Sequence, residues 1–249
     1  MKIKLILLFI FFYVLSLLLT LPAATVANFI PTNANVTVDN AQGAIWHGKA
    51  KQILVQKKYK LENVKWQFDW AALLKLQVKV ALQFYNPNGV SGEGMIGWGV
   101  GGLFAENLMV DLTAPELLSY ISLPVPVDIN GSISLLINHA TQGNAYCEQL
   151  DGYLIWRDAN IISKAGNVDL QTVDVNLSCV DGNINADLKQ LSKQMNSSLN
   201  FLLQEGNAYH LQGSIKESPS VAPAIKNALS WLGGKNSEGA TIINFKGKL

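Results

Sequence analysis

"GEGMIGWGVGGLFAENLMVDL", residues 92–112, is the stretch whose reading separates two fold classes. Its first six residues, Gly92 to Gly97, have the G-x-G-x-x-G spacing of a dinucleotide-binding turn. They follow the strand-like "VKVALQFY", and Asp111 lies about 20 residues on, where a ribose-binding acid is expected. Such a turn must run directly into a helix whose N-terminus holds the pyrophosphate. Here Gly97, Gly99, Gly101 and Gly102 would each cost that helix about 1 kcal/mol relative to Ala. Leu108, Val110 and Leu112 then alternate with Asn107, Met109 and Asp111, so the next firm element is a strand. The topology is strand to strand, which removes the dinucleotide reading. Gly97, Gly99 and Gly101 repeat at period two, on one face of a strand, where missing side chains let a sheet bend.

The same period of two extends outward. Val64, Trp66, Phe68 and Trp70 alternate with polar residues, as do Leu76, Val78, Val80, Leu82 and Phe84, then Ile129 to Ile137, Val173 to Cys179, and Thr241 to Leu249. Polar partners on the opposite face favour antiparallel pairing. A polar residue, Gly, any residue, then Ile or Leu recurs as "QGAI", "NGSI", "DGYL", "DGNI" and "QGSI". The intervals are irregular, so each Gly reads as a turn or bulge that launches a strand. Two short helices are expected. One spans 114–121, opened by the capping box Thr113 to Glu116 with Pro115 in its first turn. The other spans 222–232, where Ile225, Ala228, Leu229 and Leu232 share a face and Gly233-Gly234 stops it. The fold class is all-β, mainly antiparallel, a curved sheet or sandwich-like meander with two short helices.

Only 15% of the 249 residues are charged, against about 25% in an average soluble domain. The deficit lies in "LILLFIFFYVLSLLLTL", residues 5–21, which Pro22-Ala23-Ala24 can extend to about 20 residues, enough for a transmembrane helix. The alternative is a cleaved signal peptide, but the apolar core exceeds the usual 7 to 15 residues and Thr25-Val26-Ala27 is a poor cleavage site. Lys2 and Lys4 place the start in the cytoplasm and the remainder outside it. The division expected is a cytoplasmic start at 1–4, an anchor at 5–24, a tether at 25–38 and a single periplasmic β domain at 39–249. Of 19 basic residues two precede the anchor, so 17 face all 18 acids beyond it. Near-neutrality without a basic cluster argues against nucleic acid as a partner.

Cys147 and Cys179 are the only cysteines, and both fall in the exported part. An even pair there suggests one disulfide, worth roughly 3 to 4 kcal/mol for a loop of about 33 residues; two buried thiols are the alternative. Two thiols without neighbouring His fall short of a metal site. His47, His139 and His210 have no two-ligand spacing, and no serine sits in a nucleophile elbow. No catalytic, cofactor or metal residue is therefore assigned, and no enzyme is expected. The aromatic face of Trp66, Phe68 and Trp70 either packs against a second layer or forms an open apolar groove.

In order along the chain, several motifs resemble the type II secretion system protein N family, also called general secretion pathway protein N. "GAIWHG" is similar to a G-x-L-W-x-G turn through Gly43, Trp46 and Gly48. "LENVKWQFDWAALL" is similar to L-x-x-V-x-W-x-x-x-P-x-x-L-L through Val64, Trp66, Leu73 and Leu74, with Trp70 in place of Pro. "CEQLDGYLIWRDA" is similar to C-x-x-x-x-G-x-x-x-W-x-x-A through Cys147, Gly152 and Trp156. The first two motifs also resemble AsmA-like envelope proteins, which are associated with lipid handling. The resemblance implies a non-enzymatic, single-pass inner-membrane component of a Gram-negative secretion machine, partnered by other secretion subunits and the inner membrane. The AsmA-like likeness implies, as the alternative, a lipid-binding or lipid-transfer module.

Overall fold

The structure, a computed structural model, describes residues 2–29, 31, 35–56, 58–87, 89–120 and 126–248. The chain falls into two compact units, Met1–Asn88 and Gly89–Leu249. The sequence at the boundary is "NPNG", residues 86–89, a turn-type cluster.

The first unit begins with helix α1 (Lys2–Leu19), whose described side chains are exposed, and α2 (Ala23–Phe29). The apolar run does not continue to residue 24 as one helix. Pro22 has no N–H and disfavours helical backbone at Leu21, so the chain breaks and restarts there. At 18 residues α1 rises about 27 Å, just under the roughly 30 Å of a hydrocarbon core. Among the described residues no helix is long and apolar enough to cross a membrane.

Strands β1 (Val36–Asp39), β2 (Gln42–Ala44), β3 (His47–Val55), β4 (Tyr59–Phe68) and β5 (Val78–Tyr85) follow, all antiparallel in the order β1-β3-β4-β5 with β2 hairpinned onto β3. Val64 is fully buried, and Ala50, Ala72 and Phe84 are buried too. The alternation from Val64 does not reach Trp70. Asp69 leaves the strand, its side chain accepts from the Ala71 N–H at 2.9 Å, and it caps a 3-10 turn over Trp70–Lys75. Leu76 closes that turn with φ of 56°, so it too lies outside the strand expected to hold it.

Among the described residues of the second unit nine strands form an antiparallel meander in chain order: β6 (Ser91–Gly99), β7 (Gly102–Thr113), β8 (Val127–Thr141), β9 (Gln149–Ser163), β10 (Gly166–Val180), β11 (Asn183–Leu191), β12 (Met195–Gln204), β13 (Ala208–Glu217) and β14 (Thr241–Lys248). The all-β, mainly antiparallel class expected from the alternation is the class observed. The opening stretch is a hairpin in which Gly99 pairs with Gly102 around Val100-Gly101. Gly101 therefore sits in the turn rather than on a strand face, while a bulge of β7 at Asn107-Leu108, opposite Gly94, supplies the local bend.

Helix α3 (Ala114–Tyr120) starts where the capping box places it, with Thr113 Oγ1 accepting from the Glu116 N–H at 3.3 Å. Helix α4 (Pro223–Leu232) buries Ile225 and Leu229 against Val168, Leu170, Val173 and Met195, forming the core of this unit. The recurring glycines have mixed roles. Gly182 turns the chain between β10 and β11, Gly131 lies in β8 opposite a bulge of β9 at Asp158-Ala159, and Gly43, Gly152 and Gly213 lie within strands.

Candidate functional site

The motif residues assemble separately in each unit. In the first, Gly43 pairs with Gly48 and Gly48 with Trp66, so the two glycines and the indole stand in one row across β2, β3 and β4. Trp66 donates from Nε1 to the Ile45 carbonyl at 2.9 Å, which fixes the ring over Gly48. A Cβ at Gly48 would lie 2.5 Å from Trp66 Cζ2, a distance that excludes any side chain. Trp46, in the turn that follows, joins Phe68 and Trp70 in a three-ring cluster with centroids 5.2, 4.7 and 4.8 Å apart. The sequence placed Trp66 with Phe68 and Trp70 on one face; the structure gives Trp66 to the glycine turn and brings in Trp46. Beyond the cluster Leu73 is 43% and Leu74 91% exposed, so these motif leucines are not core residues.

In the second unit Trp156 repeats the device. Its Nε1 donates to the Asn130 carbonyl at 2.9 Å, beside Gly131, which has φ of 112° and faces the β9 bulge at Asp158-Ala159. Gly152 pairs with Ile137 and Leu177 in the middle of the sheet. The structure joins Cys147 to Cys179, with Cα atoms 6.1 Å apart. The Tyr146 and Cys147 N–H groups both donate to the Gly182 carbonyl, at 3.0 and 3.2 Å, so the loop before β9 is fastened to the β10–β11 turn.

Register sorts the faces of the meander. Leu177, Ala186, Phe201, Leu211 and Phe245 are direct partners from β10 to β14 and form one apolar row. They are half-buried, except that Phe245 is 38% exposed, and Phe201 stacks on Tyr209 at 5.8 Å. One residue along each strand, on the opposite face, stand Asn176, Asp187, Asn200, Gln212 and Asn244. Asn200 donates to Asp187 at 2.7 Å and to Asn185 at 2.6 Å, and this polar row lines a concavity of about 660 Å³.

Non-local register also places His139 between Glu106 and Asp151, a row that chain spacing alone did not reveal. Asp151 accepts from Asn138 Nδ2 at 3.0 Å. Among the described residues no group of three or more His, Cys, Asp or Glu is placed to hold a metal ion. Two titratable groups stand out electrostatically. The Tyr153 hydroxyl donates to Asp174, which together with burial raises its pKa. The Lys235 ammonium bonded to the buried Glu217 carboxylate holds that group below its usual range.

Comparison with known proteins points to one family. Residues 34–244 match the family model described as type II secretion system (T2SS), protein N. The chain is similar to the type II secretion system protein N of Aeromonas hydrophila, 29% identical over 97% of this chain and 96% of the relative. It is similar to that of Vibrio cholerae at 27% identity, covering 94% and 93%, and to that of Pectobacterium carotovorum at 26%, covering 88% and 87%. No solved structure matches.

Proposed function

The chain belongs to the type II secretion system protein N family, and on that footing we propose that it is a non-enzymatic inner-membrane component of the secretion machine, acting in the periplasm on the export of folded proteins. The observation that carries this reading is the family match, which covers the β strands of both units almost completely. In this reading the apolar stretch 5–24 anchors the chain in the inner membrane, Lys2 and Lys4 stay in the cytoplasm, and the β region 39–249 works in the periplasm. An 18-residue helix is at the short end of the range that spans a bilayer, and the exposed apolar side chains of α1 favour a lipid environment over water. The disulfide suits an oxidising compartment. The motif residues then serve as supports: Gly43, Gly48, Val64 and Trp66 shape one turn, and Gly152 and Trp156 shape the centre of the meander. Partners are other type II secretion subunits, met through loops or the outer edge of β14. Deleting the gene and assaying type II substrates in the medium tests the role; unchanged secretion would sink it.

A second reading is favoured by one observation, the half-buried apolar row from Leu177 to Phe245. A lipid-binding module of AsmA-like type would hold acyl chains there. Native mass spectrometry of the purified protein separates the two, since co-purifying phospholipid supports the lipid-binding role and its absence supports an assembly role.

A further inference from the structure

We infer that the aromatic cluster of Trp46, Phe68 and Trp70, together with the 3-10 turn that Trp70 opens, is an interfacial foot that seats the first unit on the periplasmic leaflet of the inner membrane. The inference rests on α1 being a membrane span. The chain leaves that helix through Leu21 and Pro22, and it is fastened at once to the β2–β3 turn: the Ile45 N–H donates to the Leu21 carbonyl at 3.1 Å, and Pro22 bridges to Ala44. Trp46 is the next residue, and its ring lies 4.7 Å from that of Trp70. Two indoles and a phenyl ring thus stand where the apolar helix ends. That is the depth at which Trp is favoured in membranes, with its ring body apolar and its N–H wet.

The turn carries the apolar surface further. Trp70 is 47%, Leu74 91%, Leu76 79% and Val78 51% exposed. Leu74 lies four residues along a 3-10 turn from Trp70, within about 8 Å of rise. Exposed large apolar residues this close together mark a contact site. Its charge suits a bilayer: between Glu62 and Glu93 the only acid is Asp69, whose carboxylate is occupied capping the turn, while Lys75 sits inside the turn with a stem long enough to reach headgroups. Helix length points the same way. Its uncharged part, Leu5 to Leu19, rises about 22 Å and falls short of the hydrocarbon core, and such a span is accommodated by thinning of the bilayer and by interfacial anchors, which draws whatever follows it toward the leaflet.

The test uses the full chain carrying Leu74→Cys. Cys147 and Cys179 are joined to each other, so the new thiol takes a nitroxide label alone. The labelled protein is reconstituted in vesicles of phosphatidylethanolamine and phosphatidylglycerol, and the label's collisions with oxygen and with a water-soluble nickel chelate are compared. Lys51→Cys, on an exposed position of β3, is the aqueous reference. The expected result is a several-fold higher oxygen-to-nickel ratio at 74 than at 51, with alkaline carbonate leaving the protein in the vesicles. Equal ratios in a carbonate-resistant protein would overturn the foot and leave the anchor standing. A label screened from both reagents would mean that protein covers the turn, which overturns the lipid assignment. Release by carbonate would overturn the anchor and the foot with it. Thermal melting of both variants verifies folding, which the exposure of the two sites favours.

Discussion

At Gly48 one missing side chain decides the geometry of a turn. Its backbone is not in the left-handed region, so the requirement for glycine is contact alone: an added Cβ would press on Trp66 Cζ2 at 2.5 Å and on the Gln42 carbonyl at 2.6 Å. Gly48→Ala is expected to cost about 1 to 3 kcal/mol of stability, the range for overpacking. Trp66→Phe, which gives up the bond to Ile45, is expected to cost about 1 kcal/mol. The two changes should be less than additive in a double-mutant cycle measured by urea unfolding, because the smaller ring yields space to the methyl group. Additive costs would show that the Gln42 carbonyl, not the indole, is the obstacle. Glu217 offers a pH-dependent case. Its side chain is 5% exposed and bonded to Lys235, which depresses its pKa. Its contribution is therefore complete above the ordinary carboxylate value of about 4.3 and is lost as pH falls through the lower folded-state value. Thermal melts should show wild type above Glu217→Gln at pH 7, with the gap closing on acidification below about pH 4. A gap independent of pH would mean the carboxylate charge contributes nothing.

Among the elements, the disulfide joins the loop before β9 to the end of β10, closing a separation of 32 residues. The chain-entropy model values such a loop at roughly 3 to 4 kcal/mol, so the Cys147→Ser, Cys179→Ser double variant should unfold at lower denaturant by about that amount. The loop also has four hydrogen-bond ties: the Tyr146 and Cys147 N–H groups donate to Gly182, the Tyr146 hydroxyl donates to Asn207 Oδ1, and it accepts from the Asn207 N–H. If these hold it without the disulfide, the measured loss will fall well below that figure. What was legible at this scale was local. Thr113 and Glu116 announce α3, Gly233 ends α4, and period-two alternation announces strands, because each signal lies within a few residues. Trp70 was misplaced because alternation counts residues without seeing that Asp69 caps a turn. The row Glu106, His139, Asp151 was invisible because register joins residues that are far apart in sequence, and bulges such as the one beside Asn138 shift it. For the same reason the motif glycines could be recognised, but the indoles lying over Gly48 and Gly131 could not be derived.

For the whole molecule, the N-terminal run decides where the rest of the chain works. A cleaved signal peptide would release a soluble β protein beginning near Asn28, whereas an anchor keeps α1 attached. Two features favour the anchor. The uncharged apolar run, residues 5–21, is 17 residues, longer than a typical signal core of 7 to 15. The residues just past it are also built into the fold, since Pro22 bridges Ala44 and the Leu21 carbonyl accepts from Ile45. Cleavage near residue 27 would remove that strap from the first unit, whereas an uncleaved chain keeps it. The expected outcome is that alkaline phosphatase fused after Lys248 is active in living cells, that the fusion stays in the membrane pellet through alkaline carbonate, and that its N-terminus retains Lys2. An active fusion found in the soluble periplasmic fraction with a shortened N-terminus would replace the anchor by a signal peptide. An inactive fusion would reverse the orientation that Lys2 and Lys4 are expected to set. Placing three lysines among residues 30–35 gives an independent measure of that charge bias. Phosphatase activity should fall severalfold, because the added charge competes with the two N-terminal lysines for the cytoplasmic side.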